Sequence, residues 1–426
     1  MNVLLIGGGG REHALAYKIF KSPSLKKLFI SPGNTGTELL GKNIDLDNSN
    51  FEAVIEFCKG SGIDLVVIGP EQLLVEGIAD ALRGKGINVF GPNYKAAEIE
   101  AHKSFAKKIL QKYNIPTADY FGFDYTEQEE ALNHLKHRDY PCVIKADGLA
   151  AGKGVLICNN FPEASAAINE IFVKKIFGIS GEKIIVEEFL KGEEASIFAI
   201  TDGKNFICLP ASQDHKRVGD NDTGKNTGGM GAYAPAPLIT TELQKQIEKT
   251  IIEPTINALQ KENRPFTGCL YAGLMITATG PKVVEFNCRF GDPETQAVLP
   301  LLDGDFLKLL YSTANGNLDK NAVKYSGGSA VCVVAASKGY PGSYEKGFPI
   351  SGLDQFNNNE VIVFHAGTMR KNSHVVTNGG RVLGLTAITN QCDLKSAQKI
   401  AYEAIKKIKF KDIYYRTDIA NKAFGS

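Results

Sequence analysis

The chain has no cysteine pair at CxxC spacing, no apolar run long enough to span a bilayer, and almost no net charge. Each absence excludes something. The eight cysteines are scattered, several in apolar surroundings such as Cys142, Cys208 and Cys332. That argues for a reduced cytosolic or matrix-like setting over a disulfide framework or structural zinc. The seven histidines form no ligand cluster, and His134 and His137 read as a solvated pair. The opening residues, MNVLLIGGGG, lack a basic n-region, and their apolar run is too short for a signal peptide or membrane span. The expectation is a cytoplasmic protein with no membrane partner. A formal charge of +1 gives no field to attract nucleic acid, although a local anion site remains open.

A phosphate loop of the Walker type is missing too, although Val143–Val155 (VIKADGLAAGKGV) suggests one. That pattern needs Gly, four residues, then Gly-Lys-Ser/Thr. Gly148 and Gly152 stand one residue too close, and Gly154 follows Lys153 where a hydroxyl belongs. The remaining reading is a strand ending at Lys145, then a glycine-rich hairpin back through Val155–Ile157. Its backbone and lysines could close over phosphates.

The composition is that of an ordinary soluble chain: 43% apolar and 22% charged over 426 residues, enough for two to four domains. Residues 1–92 alternate short apolar runs (Val3–Ile6, Leu28–Ile30, Leu65–Ile68, Val89–Phe90) with helical stretches near Glu12–Phe20, Phe51–Lys59 and Glu76–Arg83. This predicts a parallel sheet with crossover helices. Four strand ends run into turns at Gly7–Gly10, Ser31–Asn34, Gly69–Glu71 and Gly91–Pro92, and ligands of such sheets bind beyond those ends. GGGGREH fails the dinucleotide pattern, yet a helix start with Arg11 still favours an anion.

A helix is predicted over Ala101–Lys112, with further helices at 127–138 and 162–175. Antiparallel strands are predicted within 193–210 and 267–287. Between those lies a long aperiodic loop, Gln213–Pro237. Strands near 329–335, 361–365 and 381–388 form a last α+β unit. In VVEFNCR, Val283–Arg289, strand alternation puts Glu285, Asn287 and Arg289 on one face. A carboxylate and an amide oxygen two residues apart suit magnesium.

GGGGREHAL, SPGNTGTE, GPE, KADGLAAGKGV, VEEFLKGEEAS, QDHKR, NTGGMGAY, EFNCRFGDPETQ and TNGGRVLGLTA, in this order, resemble the phosphoribosylamine–glycine ligase (glycinamide ribonucleotide synthetase) family of ATP-grasp ligases. NTGGMGAY and EFNCRFGDPETQ are the most specific. The resemblance implies an α/β and α+β multidomain fold. It comprises a sugar-phosphate-binding parallel α/β domain over 1–100, an ATP-grasp core over 101–324 with a mobile lid at about 120–190, and a C-terminal α+β domain over 325–426. It implies ATP and Mg²⁺ (or Mn²⁺) as cofactors, and glycine and 5-phosphoribosylamine as substrates. The chain would be a free-standing monomer or weak homodimer.

By the resemblance, ATP meets Lys103, Lys145, Gly148, Gly152, Gly154, the Glu187–Leu190 backbone and Glu194. Glu285 and Asn287 hold the metal. The sugar phosphate meets Gly10, Arg11, Gly33, Asn34 and Glu71. Asp214 and Arg289 bracket glycine, with Asp292 and Glu294 close by, and Arg289 and Lys145 act in catalysis. Two departures stand out: Leu73 and Leu74 in GPEQLLVEG, where the family has proline, and no second metal carboxylate in Tyr271–Met275. Two other readings are a different ATP-grasp ligase or carboxylase and a nucleotide-binding regulator without catalysis. The loop Gln213–Tyr233 argues against the first. Intact Lys145, Glu285, Asn287 and Arg289 argue against the second.

Overall fold

The computed structural model describes residues 1–150, 154–356 and 360–425. The first five strands are β1 (Asn2–Gly7), β2 (Lys27–Pro32), β3 (Lys42–Asn43), β4 (Leu65–Ile68) and β5 (Val89–Phe90). They form one parallel sheet in the order β3-β2-β1-β4-β5. Alternate side chains serve two cores. Leu4 and Ile6 pack with Val54 of α2 (Phe51–Gly60), while Val3 and Leu5 pack with Leu15 and Ile19 of α1 (Gly10–Phe20). Burial on both faces explains the unbroken apolar runs.

Two predicted helices differ in their bounds. The stretch read as Glu76–Arg83 is α4 (Ile78–Arg83), starting after Gly77 at φ +91°, and a further short helix, α3 (Glu71–Val75), precedes it. The stretch read as Ala101–Lys112 is the end of α5 (Tyr94–Ala101) and then α6 (Lys103–Lys112), with His102 extended at the break. Asp147 caps α6 from a distant strand, accepting from Ser104 N at 2.5 Å and Ser104 Oγ at 3.0 Å.

Next come β6 (Tyr120–Asp124), α7 (Gln128–Lys136), β7 (Cys142–Ala146), β8 (Val155–Cys158), α8 (Phe161–Ile168) and β9 (Lys183–Glu188). Their antiparallel sheet runs β6-β9-β7-β8. It has a small core of its own, including Leu135, Ile144, Ile168 and Val186. The predicted hairpin is β7–β8, with Val143 opposite Ile157.

The central sheet, β11-β10-β16-β17, joins β10 (Glu193–Thr201) and β11 (Phe206–Cys208) to two later strands. The segment 213–237 is more ordered than its sequence suggested. It contains β12 (Gln213–Asp214), β13 (Arg217–Gly219), β14 (Thr223–Asn226) and β15 (Gly231–Ala234). Every residue of β15 is buried, so no polar–apolar alternation marked it as a strand. Helices α9 (Thr241–Ile247) and α10 (Glu253–Lys261) lead to β16 (Gly268–Thr277), β17 (Gly280–Asn287) and α11 (Glu294–Val298).

The remainder is β18 (Leu302–Gly304), α12 (Phe306–Ala314), β19 (Val323–Tyr325), β20 (Ser329–Ser337), β21 (Val361–His365), β22 (Thr368–Lys371), β23 (His374–Thr377), β24 (Arg381–Thr389), α13 (Leu394–Ile405) and β25 (Ile413–Tyr414). β12 and β15 continue the sheet of this last unit, in the order β12-β15-β20-β24-β21, with β25 on β20. The long segment is thereby fixed between the central and C-terminal parts. All eight cysteines are free. Among the described residues, no helix is long and apolar enough to cross a membrane.

Candidate active site

β17 carries the centre of the site. Opposite Glu285 on β16 stands Gly273, and opposite Asn287 stands Tyr271. A β-bulge lies between Gly273 and Leu274, so Val284 has no direct partner. A Cβ on Gly273 would come within 3.1 Å of Glu285 Cγ. The absence of a second carboxylate in Tyr271–Met275 therefore has a steric counterpart: the space beside Glu285 is kept clear. Burial raises the Glu285 carboxyl, but Lys216, Lys145, Lys103 and Arg289 outweigh it and hold the carboxyl below its ordinary value.

Lysines from β7 and α6 surround this centre. Lys145, ending β7, donates to Val284 O at 3.2 Å and pairs with Glu187 at 2.9 Å. Lys107, on α6, meets the other Glu187 oxygen at 3.3 Å and donates to Thr117 Oγ1 at 2.7 Å. Burial, aided by nearby Lys145, pulls the Lys107 ammonium down to about 8. Lys103 donates to Gly148 O at 3.0 Å, at the base of the glycine hairpin. Gly154 O accepts from Ala146 N at 2.8 Å and closes that hairpin. Gly152 lies outside the described residues. Leu190 sits in the half-buried connection after β9, and Glu194 is the second residue of β10.

Lys216 lies in the segment 213–237, which the sequence marked only as a long aperiodic loop. Here it is enclosed by acids, at 2.8 Å from Glu194 and 3.9 Å from Glu285. Asp214 and Glu294 lie in the same cluster. Burial pushes the Asp214 carboxyl up to about 8; Glu294, Glu194 and Glu285 add to this, and Lys216 opposes it. Glu294 accepts from Tyr271 Oη at 2.9 Å and Ser196 Oγ at 3.3 Å. Asp214, with Glu194, Glu285 and Glu294 around it and Lys216 the cation acting on it, sits in surroundings that suit a cationic ligand.

Arg289 is held elsewhere. Its Nε donates to Glu71 at 3.0 Å, one terminal nitrogen to Glu100 at 2.9 Å and the other to Phe290 O at 3.2 Å. Glu100 also accepts from Cys288 N at 2.7 Å. Burial raises the Glu71 carboxyl, but Arg289 and Arg11 overcome it and draw it down to about 2. Asp214 and Arg289 are thus not in direct contact: each faces Glu285 from its own cluster. Glu100 was not singled out from sequence. The one available signal was a second acid, after Glu98, in the AAEIEA turn of α5.

At the N-terminal sheet edge the turns after β1 and β2 are bonded to each other, Gly33 N donating to Gly7 O at 3.2 Å. Glu12 caps its own helix through Gly9 N at 2.7 Å and holds Arg11 Nε at 2.6 Å. Arg11 then reaches Phe290 O at 3.2 Å and lies 3.9 Å from Glu71. A Cβ on Gly10 would stand 2.6 Å from Gln296 Nε2. Gly33 takes φ +71°, with Asn43 in the space of any side chain. The Asn34 amide donates to Gly8 O and His365 O and accepts from Gly36 N, so its side chain braces the loop.

Asp292 is fixed by Gln296 at 2.7 Å and by Arg381 at 2.8 Å. Arg381 also donates to Gly228 O at 2.5 Å, tying NTGG, the DPE turn and TNGGR together. Among the described residues, no three His, Cys, Asp or Glu side chains form a metal-binding group. The Glu285–Asn287 pair would leave most coordination positions to water or to phosphate oxygens, the usual arrangement for magnesium.

Three family models match in succession. Phosphoribosylglycinamide synthetase N domain covers residues 1–100, its ATP-grasp (A) domain residues 101–295, and its C domain residues 330–422. The phosphoribosylamine–glycine ligase of Caldanaerobacter subterraneus subsp. tengcongensis is 49% identical over 99% of each chain. The trifunctional purine biosynthetic protein adenosine-3 of Gallus gallus is 47% identical over 99% of this chain and 42% of its own. The crystal structure of phosphoribosylamine–glycine ligase from Thermotoga maritima superposes with a TM-score of 0.84 at 34% identity, covering 99% of this chain and 100% of that one. The biotin carboxylase domain of Hydrogenobacter thermophilus 2-oxoglutarate carboxylase, a complex with MgADP and bicarbonate, shares the fold at a TM-score of 0.74 and 16% identity, over 97% and 91%.

Proposed function

The chain belongs to the phosphoribosylglycinamide synthetase family, and from that premise we propose how its side chains divide the work of ligation. The enzyme is a ligase that joins glycine to 5-phosphoribosylamine at the expense of ATP, in purine biosynthesis. A carboxylate is a poor acyl donor because oxide is a poor leaving group. The glycine carboxylate oxygen takes the γ-phosphoryl group, giving glycyl phosphate and ADP. The amine of phosphoribosylamine then attacks the acyl carbon, and phosphate leaves with the C–O bond electrons. Water must be kept from that intermediate.

In our reading, Lys103 and Lys145 neutralise the nucleotide phosphates, and Gly148, Gly152 and Gly154 let the hairpin approach them. Glu187 and Leu190 line the base, and Glu194 takes the ribose hydroxyls in exchange for Lys216. Glu285 and Asn287 would hold Mg²⁺, or Mn²⁺ through the same oxygen donors, which would supply charge neutralisation at the phosphates. Asp214 takes the glycine ammonium: a buried carboxyl raised to about 8 regains its charge when a cation arrives. Arg289 faces the reacting carboxylate, with Glu71 and Glu100 aiming its fork. Gly10, Arg11, Gly33, Asn34 and Glu71 surround the sugar phosphate, with Asp292 and Glu294 holding the wall between the two substrates.

The observation that carries this reading is the pairing of a lysine-rich pocket with an acid-rich pocket on either side of Glu285. The first suits phosphates and the second an ammonium. ADP release that requires both glycine and phosphoribosylamine tests it. Release supported by another acid, or by neither substrate, would refute it. A cytoplasmic setting and a monomeric or weakly dimeric state complete the proposal.

A further inference from the structure

Arg416 is the largest fully buried side chain among the described residues, yet it lies outside every motif that points to the site. Its guanidinium is completely engaged. Nε and one terminal nitrogen grip both oxygens of Asp418, at 2.7 and 2.6 Å. The other terminal nitrogen donates to Arg217 O at 3.0 Å and Asp222 at 2.9 Å. Arg217 and Asp222 belong to the hairpin β13–β14, whose residues 217–226 are half-exposed or exposed. The strap 414–418 meets that hairpin repeatedly. Tyr414 Oη donates to Val218 O, Thr417 N to Asp220, and Asp418 accepts from Asn221 N, at 2.7–2.8 Å. The strap is itself anchored, since Tyr402 Oη of α13 donates to Arg416 O at 2.9 Å.

The hairpin starts one residue after Lys216. Thr227 closes its base, donating from both N and Oγ1 to Lys216 O at 2.8 Å. A continuous chain of contacts therefore runs from α13 through the strap and hairpin to the ammonium that lies between Glu194 and Glu285. Burying an arginine charge is costly unless it is fully paired and hydrogen-bonded, and it confers fixed positions more readily than net stability. We propose that Arg416 is a positioning residue for ligation. It holds the β13–β14 hairpin and so sets Lys216, and with it Asp214, against the acids of the site. This inference rests on the reading of Asp214 and Lys216 given above.

The test is Arg416→Lys in the full chain, which keeps the charge and loses the fork. Displacing Asp214 and Lys216 weakens the grip on the glycine ammonium, so KM for glycine should rise by about tenfold or more. KM for phosphoribosylamine, read by the distant N-terminal edge, should stay within about twofold. A residue that merely supports folding would lower the active fraction and reduce kcat/KM equally for every substrate; that pattern overturns the proposal. If Arg416→Lys does not fold, Asp222→Asn removes the charge from the exposed hairpin side, and the same glycine-selective loss is expected, smaller in size. Equal loss for all substrates there is equally fatal. Lys216→Met separates the two readings. If it leaves glycine kinetics intact, the site assignment fails. If it abolishes them while Arg416→Lys behaves as the parent, only the strap proposal fails.

Discussion

Replacing Arg289 by lysine asks whether this residue acts through its charge or its shape. The guanidinium serves three acceptors at once: Glu71, Glu100 and Phe290 O, at 3.0, 2.9 and 3.2 Å. A lysine ammonium is one point on a flexible stem and cannot span Glu71 and Glu100 in the same geometry. Glu100 is buried, and burial pushes its carboxyl up even with Arg289 present. Losing one charge-assisted bond costs ~1.5–3 kcal/mol. Breaking a buried pair outright costs ~3–5 kcal/mol, which the retained charge only partly offsets. If most of the smaller loss falls on the transition state, turnover drops by about 10- to 150-fold at saturating substrates. Glycine-dependent ADP release measures it, with a thermal melt of the same sample to separate rate from folding. Glu100→Gln is the companion variant: it leaves the fork intact and should be milder. Turnover of Arg289→Lys within about threefold of the parent would show that the fork does not read the reacting carboxylate.

Glu285→Ala should abolish turnover while the melting profile holds, because the phosphates lose the oxygen donor that suits a divalent ion; activity restored by excess Mg²⁺ would count against the assignment. Stability should peak near neutrality. Burial draws His13 and His215 down to about 3 and His365 to about 4, so each stays neutral when folded and protonates below about 6.5 when unfolded. Their stabilisation is complete above that value and is lost as pH falls. Asp214, raised to about 8, acts oppositely and gains stability as pH falls through 8. Between pH 6.5 and 5 three groups oppose one, a net loss of ~2–3 kcal/mol per pH unit at most. Denaturant midpoints at pH 7 and pH 5 measure this, and an equal or higher midpoint at pH 5 would refute it.

Several features were legible in the residues alone because they depend on neighbours one to four positions away. The alternation of VVEFN places Glu285 and Asn287 on one strand face whatever surrounds them. The glycine hairpin after Lys145 and the strand–turn rhythm of residues 1–92 are equally local. The family motifs then fix the activity, since their order and wording leave little room for another. What the sequence concealed is nonlocal or masked by burial. β15 is invisible as a strand because both of its faces are covered. Gly77 sets the start of α4, and His102 breaks a helix whose apolar spacing runs on through it.

The partners of the site's charges were decided only in three dimensions. Arg289 meets Glu71 and Glu100 across 218 and 189 residues, and Arg416 meets Asp222 across 194. No periodicity encodes such pairs, because they exist only once separate sheets have packed. Lys216 shows the consequence: in a line of letters it is one more cation in a charged loop, and in the fold it is a buried ammonium set among Glu194, Asp214 and Glu285. The sequence specified which chemical groups this protein has and the chemistry they serve. Packing assigned each charge its partner, because Coulomb attraction and desolvation depend on distance and burial, and neither quantity is a property of position along the chain.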